Sequence, residues 1–337
     1  MRRHITPLRV AGTVVVALAV TVLILVNIPS GDYLLLPDVA HPVAPLVKVQ
    51  GGQRGTGPGG IYFVDVIERR ASEFEQLFPW IHSDATLVPA KLVVPPGTSS
   101  AAAEAADLRE MQISQRVAAA VALRRLGYHV VVRPNGVIVN GVELGTAAYR
   151  HLQPADVIIG IDGKPTPTIA SLRRILAPVK PGDTVRVRLQ RGSKVITESL
   201  RTVNNPQQPG HALIGFEPAQ AAQIKLPLRV SIDAQGIGGP SAGLAFALEV
   251  MQQLGRNVDR GLRVAATGEM ELDGTVAPIG GVKQKIFDAR EAKVDVFLVP
   301  AGDNARVARR YAGHVRVIPV RTFGQALHAL ATLPKEG

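Results

Sequence analysis

The sequence predicts an α/β fold that is interrupted by a second, mainly β unit and preceded by one long apolar helix. Within residues 204–337, strand-like apolar runs alternate with amphipathic helical patterns, which is typical of α/β proteins. Residues 128–203 contain mostly short strand patterns separated by turn signals. Residues 10–28 contain no charged side chain. These observations divide the 337 residues into an apolar N-terminal segment, a split α/β domain and an inserted unit.

The N-terminal segment predicts a membrane anchor. Residues 1–9 carry Arg2, Arg3 and Arg9, and the uncharged run 10–28 follows directly. About 20 apolar residues span the hydrocarbon core of a bilayer, so this run is long enough. A cleaved signal peptide is the alternative, although its apolar core is usually shorter and no Ala-x-Ala site follows. Because the arginines precede the span, we expect a single-pass cell-membrane protein with a cytoplasmic N-terminus and an extracytoplasmic bulk.

The next segment leads into the α/β domain. Residues 29–60 are rich in proline and glycine, and they predict a linker with one short strand at 46–49. Residues 61–127 are expected to be the N-terminal part of the domain. The run 61–67 predicts its first strand, and the pattern at 101–126 predicts a long helix.

The inserted unit, residues 128–203, resembles a bacterial PDZ domain. The resemblance rests on the runs Leu152-Gln-Pro-Ala-Asp-Val-Ile and Lys180-Pro-Gly-Asp-Thr-Val, with Ala155 standing where glycine is usual. The predicted elements are strands at 137–139, 157–161, 181–189 and 195–200 and a helix at 169–176. PDZ domains bind extended peptides by adding a strand to a sheet edge, and the resemblance implies this role here. A PDZ-shaped spacer without a peptide ligand is the alternative.

The catalytic part, residues 204–337, begins with strands that lead to a glycine-rich loop around Ser241. This loop reads Gly236-Ile-Gly-Gly-Pro-Ser-Ala-Gly243, and an apolar helix is expected from Ser241 to about Leu254. A serine at a helix start lies beside unpaired backbone N–H groups and a positive dipole end, a geometry that stabilises an oxyanion. An ordinary serine N-cap after a glycine turn is the alternative. The other expected elements are strands at 212–216, 228–232, 262–267, 294–300 and 315–319 and helices at 281–292, 303–312 and 322–332.

A second run supplies a candidate base for the serine. Thr267-Gly-Glu is followed by residues 276–285, which end in Lys283-Gln-Lys285. A serine hydroxyl is a weak nucleophile that needs a base, and burial can keep a lysine neutral enough to serve. On the predicted helix 281–292, Lys285 shares its face with apolar residues three, four and seven positions away. Lys283 points about 200° away by the helical period and is expected to face solvent.

The two runs together resemble the proteolytic domain of the Lon protease family. There a Pro-Ser-Ala-Gly serine is followed by Thr-Gly-Glu and then by Pro-Ile-Gly-Gly-Leu-Lys-Glu-Lys. The resemblance extends from about residue 60 to the end of the chain. It implies that Ser241 is the nucleophile, that Lys285 is its base and that Thr267 orients the lysine. Lon-family domains often form hexameric rings, so a homo-oligomer is also expected.

The residues that flank the serine are expected to support the reaction. Backbone N–H groups in the stretch containing Gly239, Pro240 and Ala242 would hold the oxyanion, a contribution of about 3–4 kcal/mol per donor in comparable sites. In ATP-driven Lon enzymes an aspartate often stands three residues before the serine. Gly238 occupies that position here, as in related membrane-bound forms.

Composition excludes several other classes of function. The net charge of +11 is dispersed, aromatic residues make up only 4%, and no nucleic-acid-binding signature is present, so nucleic acid is not an expected partner. The chain has no cysteine, which excludes disulfides and thiol chemistry. It also has no phosphate-binding Gly-x-x-x-x-Gly-Lys-Ser/Thr loop, which predicts independence from ATP. None of the eight histidines lies in the motif runs, so a Ser-His-Asp triad is the weaker alternative. We expect no metal ion and no organic cofactor.

The sequence therefore predicts a membrane-tethered, ATP-independent serine endopeptidase with a Ser241/Lys285 dyad. Its expected partners are protein or peptide substrates, such as unfolded segments or chain ends, and the membrane. The PDZ-like unit would select or gate these substrates. The alternative from another class is a non-catalytic PDZ adaptor on a protease-like scaffold at the membrane.

Overall fold

The computed structural model describes residues 7–53, 55, 57–94 and 99–333. Its first part contains α1 (Pro7–Asn27), β1 (Pro29–Pro37), β2 (His41–Pro42), β3 (Val47–Val49), β4 (Gly60–Phe63), β5 (Val66–Ser72), α2 (Glu73–Leu77), a 3₁₀ turn (Pro79–Ile81), β6 (Thr86–Pro89), α3 (Ala90–Val93) and α4 (Ser100–Arg125). The middle part contains β7 (Val131–Val142), α5 (Ala148–His151), β8 (Val157–Ile161), β9 (Lys164–Pro165), α6 (Ile169–Leu176), β10 (Thr184–Arg191), β11 (Lys194–Arg201), β12 (Val203–Asn205), β13 (Gln208–Leu213) and β14 (Phe216–Lys225). The last part contains β15 (Val230–Ile232), α7 (Gly243–Gln253), β16 (Arg263–Ala266), β17 (Glu269–Met270), β18 (Val276–Ala277), α8 (Val282–Glu291), β19 (Val296–Pro300), α9 (Asp303–Arg310), β20 (Arg316–Val320) and α10 (Phe323–Thr332).

The apolar N-terminal run forms one continuous helix, α1. Its segment Val10–Asn27 has a mean hydropathy of 2.5, and none of that segment is buried against the rest of the chain. By length and composition α1 is therefore able to cross a membrane. Most of the predicted N-terminal arm, residues 1–6, lies outside the described residues.

The predicted linker at 29–60 contains more structure than expected. β1 occupies its first nine residues and pairs antiparallel with both β5 and β6 in a small sheet. The prediction of a linker fails there because the first and last residues of β1 are prolines, which were taken as turn signals, although β1 is the central strand of its sheet. The predicted short strand is present as β3. The expected strand at 61–67 is divided into β4 and β5, which belong to different sheets.

The catalytic part is built on a mostly parallel sheet with the order β2-β4-β16-β19-β20. β16 pairs in parallel with β4 and β19, and β19 pairs in parallel with β20. Side chains on alternate residues of β16 enter two separate cores, since Val264 and Ala266 pack with α4, α7 and α10, whereas Ala265 packs with α8 and α9. Helices on both faces of a mainly parallel sheet confirm the predicted α/β class.

The middle part forms a mainly β unit with the strand order β11-β10-β8-β7-β14. Its own core contains Val137, Ile158, Leu172 and Leu189, all fully or almost fully buried. Ala155 has a φ of 62°, in the left-handed region that glycine adopts without strain, which explains why glycine is usual at this position of the PDZ pattern.

Strand β14 connects this unit to the catalytic part. It follows the predicted end of the insertion, yet it pairs antiparallel with β7 along its whole length, from Phe216 to Lys225. The Gln220 side chain reinforces this edge, because it donates to the backbone oxygen of Gly136 and accepts from the backbone N–H of Ile169 at the start of α6. The same backbone then continues through β15 to the glycine-rich loop.

Candidate active site

The candidate nucleophile, Ser241, lies in a tight turn between β15 and α7. Gly236 and Gly239 in this turn have φ values of 85° and 81°, which glycine tolerates and most other residues do not. The helix begins two residues later than predicted, at Gly243, with Ala242 as its N-cap residue. Ser241 is half-buried and lies just before the N-terminal turn of α7, on the side where the helix dipole is positive.

Helix α4 closes over this turn. A Cβ atom at Gly238 would lie 2.6 Å from Cβ of Asp107, so this position has no room for a side chain unless the turn or α4 moves. The Ser114 hydroxyl, also on α4, donates to the backbone oxygen of Pro240 at 2.8 Å. The predicted long helix therefore holds the nucleophile turn from one side.

Lys285 is brought to the serine by α8. This helix begins after Gly281, whose φ is 68°, and runs from Val282 to Glu291, close to the predicted range. The Lys285 side chain is almost completely buried, at 3% exposure. Its Nζ atom lies 2.7 Å from Oγ of Ser241, within hydrogen-bond distance. The structure thus brings together the two residues that the sequence selected as a dyad.

Burial controls the charge state of this lysine. Removal from water disfavours the ammonium form and lowers the pKa of Lys285 from 10.5 to about 8, although Asp65, Asp288 and Glu68 act in the opposite direction. A lysine with a pKa of about 8 is partly neutral near pH 7, as a general base requires. No histidine hydrogen-bonds to Ser241 in the described part of the chain, which gives the Ser-His-Asp alternative no support.

The second lysine of α8, Lys283, does not face solvent as predicted. Its Nζ atom donates to the backbone oxygen of Ala85 at 2.7 Å and lies 5.7 Å from the ring centre of Tyr311. The helical period correctly separates Lys283 from Lys285, but a neighbouring segment that the sequence does not reveal covers this side of the helix. Neither of these contacts involves Ser241, so Lys283 serves as a matched control for Lys285.

Thr267 contacts the nucleophile rather than the lysine. Its hydroxyl donates to the backbone oxygen of Ser241 at 3.2 Å, and the backbone N–H of Gly268 donates to the same oxygen at 2.8 Å. None of the hydrogen bonds found among the described residues joins Thr267 to Lys285. Thr267 was predicted to orient Lys285. In the structure it helps to hold the Ser241 backbone in position instead, together with Gly268.

The predicted oxyanion donors differ in their availability. The backbone N–H of Gly239 already donates to the backbone oxygen of Asp107 at 2.8 Å, and Pro240 has no N–H. Both residues therefore shape the turn and do not supply free donors. The backbone N–H groups of Ser241 and Ala242 have no hydrogen-bond acceptor among the described residues. These two groups are the remaining candidates at this helix start.

A group of carboxylates beneath Lys285 was not predicted from the sequence. Burial raises the pKa of Asp65 and of Glu68, and burial together with the charges of Asp65 and Asp38 raises the pKa of Asp288 to about 8. Asp288 lies three residues after Lys285, so the helical period already places both on one face. Asp65 interrupts an otherwise apolar strand pattern, which was the other available signal.

Comparison with protein families identifies two domains in the chain. Residues 192–332 match the Lon protease C-terminal proteolytic domain, and residues 124–202 match the PDZ domain. The first match contains both members of the Ser241/Lys285 pair and the residues that contact them from the glycine-rich loop and α8. The second match covers nearly the whole unit that was predicted to be PDZ-like.

Curated Lon proteases are similar to part of the chain. The Lon protease of Rhizobium meliloti is 29% identical over 171 residues, which are 50% of this chain and 21% of that protein. Lon protease 1 of Sorangium cellulosum is 32% identical over 40% of this chain and 16% of that protein. The archaeal Lon protease of Methanothermobacter thermautotrophicus is 36% identical over 30% of this chain and 16% of that protein. The chain thus matches between about a sixth and a fifth of the length of these relatives.

Solved structures match the PDZ-like unit. The PDZ domain of an SdrC-like protein from Listeria monocytogenes is 24% identical and covers 25% of this chain and 88% of that chain, with a TM-score of 0.24. The corresponding domain from Listeria innocua is 25% identical and covers 26% of this chain and 96% of that chain, also with a TM-score of 0.24.

Proposed function

Because the chain contains a Lon-type proteolytic domain and a PDZ domain, we propose that it is a membrane-tethered serine endopeptidase that cleaves protein substrates without ATP. Ser241 is the proposed nucleophile and Lys285 the proposed base. The observation that carries this proposal is the 2.7 Å distance between Nζ of a buried lysine and Oγ of the serine.

Acylation is the first proposed step. Neutral Lys285 accepts the proton of the Ser241 hydroxyl while the oxygen attacks the carbonyl carbon of a peptide bond. The resulting tetrahedral intermediate collapses when the C–N bond breaks, and the Lys285 ammonium returns its proton to the leaving amine. An ester between Ser241 and the N-terminal fragment of the substrate remains.

Deacylation repeats the same proton transfers with water. Lys285, neutral again, accepts a proton from a water molecule that attacks the ester carbon. Collapse of the second tetrahedral intermediate releases the carboxylic acid product, and Lys285 returns the proton to the Ser241 oxygen. General base catalysis of this kind typically contributes about 10²–10⁴ in rate.

The start of α7 is the proposed oxyanion site. The free backbone N–H groups of Ser241 and Ala242 lie at the positive end of the helix dipole, where negative charge is stabilised. Thr267 and Gly268 support this geometry indirectly, because their bonds to the Ser241 carbonyl limit rotation of the peptide that carries the donors.

The proposed location of the reaction is outside the cytoplasm. The apolar helix α1 would anchor the chain, and the three arginines that precede its uncharged segment Val10–Asn27 would keep the N-terminus in the cytoplasm. ATP is not available on the other side of the membrane, which agrees with the absence of a phosphate-binding loop from the sequence. Retention of α1 as an anchor, rather than removal as a signal sequence, is part of the proposal.

The PDZ-like unit is proposed to select or gate substrates. We propose that this unit comprises residues 128–203 together with β14, since β14 completes its sheet. The outer edge of β14 pairs with no other strand among the described residues, and a substrate segment could add to it there. A homo-oligomeric ring, expected from the Lon resemblance, would place several such units around one chamber.

Cleavage of an unfolded protein tests the proposal. The full-length chain in detergent is incubated with casein in the absence of ATP, alongside Ser241→Ala, Lys285→Ala and Lys283→Ala. We expect cleavage by the wild type and by Lys283→Ala, and none by the two dyad variants. Lys283→Ala is the matched control because it removes the same group from the same helix and deletes one hydrogen bond to Ala85.

Other outcomes lead to different conclusions. Loss of activity in Ser241→Ala with retention in Lys285→Ala would identify a different base. Absence of cleavage in every form, with a folded protein that still binds peptides, would favour the non-catalytic adaptor. Cleavage that requires ATP would contradict the proposed energy independence.

A further inference from the structure

Three side chains with metal-binding atoms meet next to the candidate dyad. Asp38 follows β1, His41 lies in β2 and Asp65 lies between β4 and β5, so three separate segments contribute to the group. Their ligating atoms all lie within 4.8 Å of one another. The side chains are 17–29% exposed, which leaves a path for a small ion from solvent. The motif analysis had assigned no role to any of the three.

The distances in this group are long for hydrogen bonds between charged groups and suit metal coordination. The Nε2 atom of His41 forms a long hydrogen bond of 3.4 Å with Oδ2 of Asp38 and lies 3.3 Å from Oδ1 of Asp65. Charge-assisted hydrogen bonds are usually about 2.7–2.9 Å long, and one ring N–H cannot point at two oxygens at once. Bonds of about 2.0–2.2 Å in a tetrahedral zinc site separate neighbouring ligand atoms by roughly 3.3–3.6 Å. The two distances from the histidine nitrogen lie in that interval, and the two aspartate oxygens lie within 4.8 Å of each other.

A buried carboxylate beside the group provides an independent observation. Asp288 on α8 is only 1% exposed, and neither of its carboxylate oxygens has a hydrogen-bond partner among the described residues. Asp288 lies close to Asp65 and to the backbone of Asp38. A buried carboxyl group whose oxygens lack full hydrogen bonding is stabilised by a nearby cation, which favours ion binding at this position.

The polar atoms near the group are also incompletely paired. Nζ of Lys285 hydrogen-bonds to Ser241 and, within the described residues, to none of these carboxylates. Oδ1 of Asp65 also lacks a hydrogen-bond partner within the described residues. A divalent cation would supply the missing contacts.

The ring of His41 is held in a fixed orientation. It stacks on Phe63, with ring centres 4.9 Å apart and an angle of 19° between the planes. Phe63 is one of the largest fully buried side chains of the core. The imidazole nitrogen is therefore presented to the two aspartates without a large loss of side-chain freedom on binding.

We propose that Asp38, His41 and Asp65 form a zinc site, with Nε2 of His41 and one carboxylate oxygen from each aspartate as ligands. A mixed set of imidazole and carboxylate favours zinc over magnesium or calcium, which prefer oxygen ligands alone. Asp288 lies next to this group without being one of these three ligands. The proposal is independent of the proposed peptidase activity.

Zinc binding by the full-length protein tests the site. The chain in detergent is stripped with a chelator and titrated with zinc chloride by calorimetry, and bound metal is counted after gel filtration. We expect one more zinc ion per wild-type chain than per His41→Ala or Asp65→Asn chain, and at least a tenfold weaker affinity in both variants. Cobalt(II) in place of zinc should give the visible absorption of a tetrahedral site in the wild type but not in these two variants.

Two controls keep the result interpretable. His82→Ala removes a histidine of similar exposure that contacts Glu75 outside the group, and it should bind as much zinc as the wild type. Circular dichroism checks folding, and Asp38→Asn, the most exposed ligand, replaces any variant that does not fold. Equal zinc content in the wild type and the ligand variants would overturn the proposal. Tighter binding of calcium or magnesium at these residues would overturn the choice of zinc.

Discussion

One buried charged side chain in the PDZ-like unit, Asp156, and one in the catalytic part, Lys285, have very different hydrogen-bond partners. Asp156 in the PDZ-like unit is completely buried, and Arg191 donates to its two oxygens at 2.8 and 2.6 Å. The backbone N–H of Gln153 adds a third hydrogen bond to this carboxylate. Lys285 in the catalytic part is almost as buried, yet it makes one hydrogen bond, to Ser241.

The hydrogen-bond partners distinguish a charged group that stabilises the fold, Asp156, from one that can act as a base, Lys285. A carboxylate with a two-pronged arginine partner has a partner for both of its oxygens and joins the elements around it. A buried lysine without an acidic hydrogen-bond partner is destabilised in its charged form, so its pKa falls towards neutrality. The first arrangement predicts loss of stability on mutation, and the second predicts loss of activity.

The largest expected effect is on catalysis. Lys285→Met keeps the length of the side chain and removes the amine, so cleavage of a peptide substrate should fall by about 10³-fold. The free energy of unfolding at pH 7 should fall by no more than about 1 kcal/mol, because an apolar chain replaces a poorly solvated charge. Steady-state kinetics and urea unfolding measure the two quantities. A large loss of stability with normal kinetics would mean that Lys285 supports the fold and not the reaction.

The next largest effect is on stability in the PDZ-like unit. Asp156→Asn leaves the Arg191 guanidinium without its anion and should cost about 3 kcal/mol of unfolding free energy. The chemical step on a short peptide should be unchanged at temperatures where the variant is folded. Thermal unfolding provides the measurement. Glu198→Gln, which removes an exposed pair with His151, is the control and should cost less than about 1 kcal/mol.

A moderate effect is expected where α4 presses on the nucleophile turn. Gly238→Ala would place its Cβ atom 2.6 Å from Cβ of Asp107, so either the turn or α4 must move, at a cost of about 1–3 kcal/mol. Peptidase activity should fall together with stability because the turn carries Ser241. Gly280→Ala is the control, since nothing lies within 4 Å of its added atom. Equal behaviour of the two variants in unfolding and activity assays would contradict this account.

The smallest expected effect is a gain in stability at the end of α8. Lys293 is exposed and has a φ of 52°, a conformation that costs a residue with a side chain about 1–2 kcal/mol. Lys293→Gly removes this strain but increases the freedom of the unfolded chain, so a net gain of about 0.5–1 kcal/mol remains. Thermal unfolding should show a small rise in midpoint with unchanged peptidase activity. A fall in midpoint would mean that the lysine makes a compensating contact.

Local patterns predicted most of the fold because the elements that match are amphipathic over their full length. The predicted strand at 157–161 and the helix at 169–176 coincide with β8 and α6, and the turn between them contains an Asp-Gly pair. β1 was missed because prolines bound it. The pairing of β14 with β7 was missed because it joins residues about 80 positions apart, and no local pattern encodes such a contact.

The candidate site also contains features that the sequence predicted and features that only the structure reveals. Ser241 and Lys285 were identified because each lies in a recognisable run, whereas the hydrogen bond between them follows from the packing of α7 and α8. The contact of Thr267 with the Ser241 carbonyl, and the use of the Gly239 N–H by Asp107, depend on tertiary geometry. The Asp38, His41 and Asp65 group depends on three segments that have no common motif.

The rate of covalent labelling of Ser241 as a function of pH tests the central claim most directly. A serine-directed fluorophosphonate is added to the full-length protein, and intact mass and peptide mapping follow the adduct. Because the folded-state pKa of Lys285 is lowered to about 8, the fraction of neutral base increases with pH up to that value. We predict a rate that rises about tenfold per unit below pH 7, levels off above about pH 8, and is lost in Lys285→Ala but kept in Lys283→Ala. Labelling at another residue, or a rate at Ser241 that is independent of both pH and Lys285, would contradict the account.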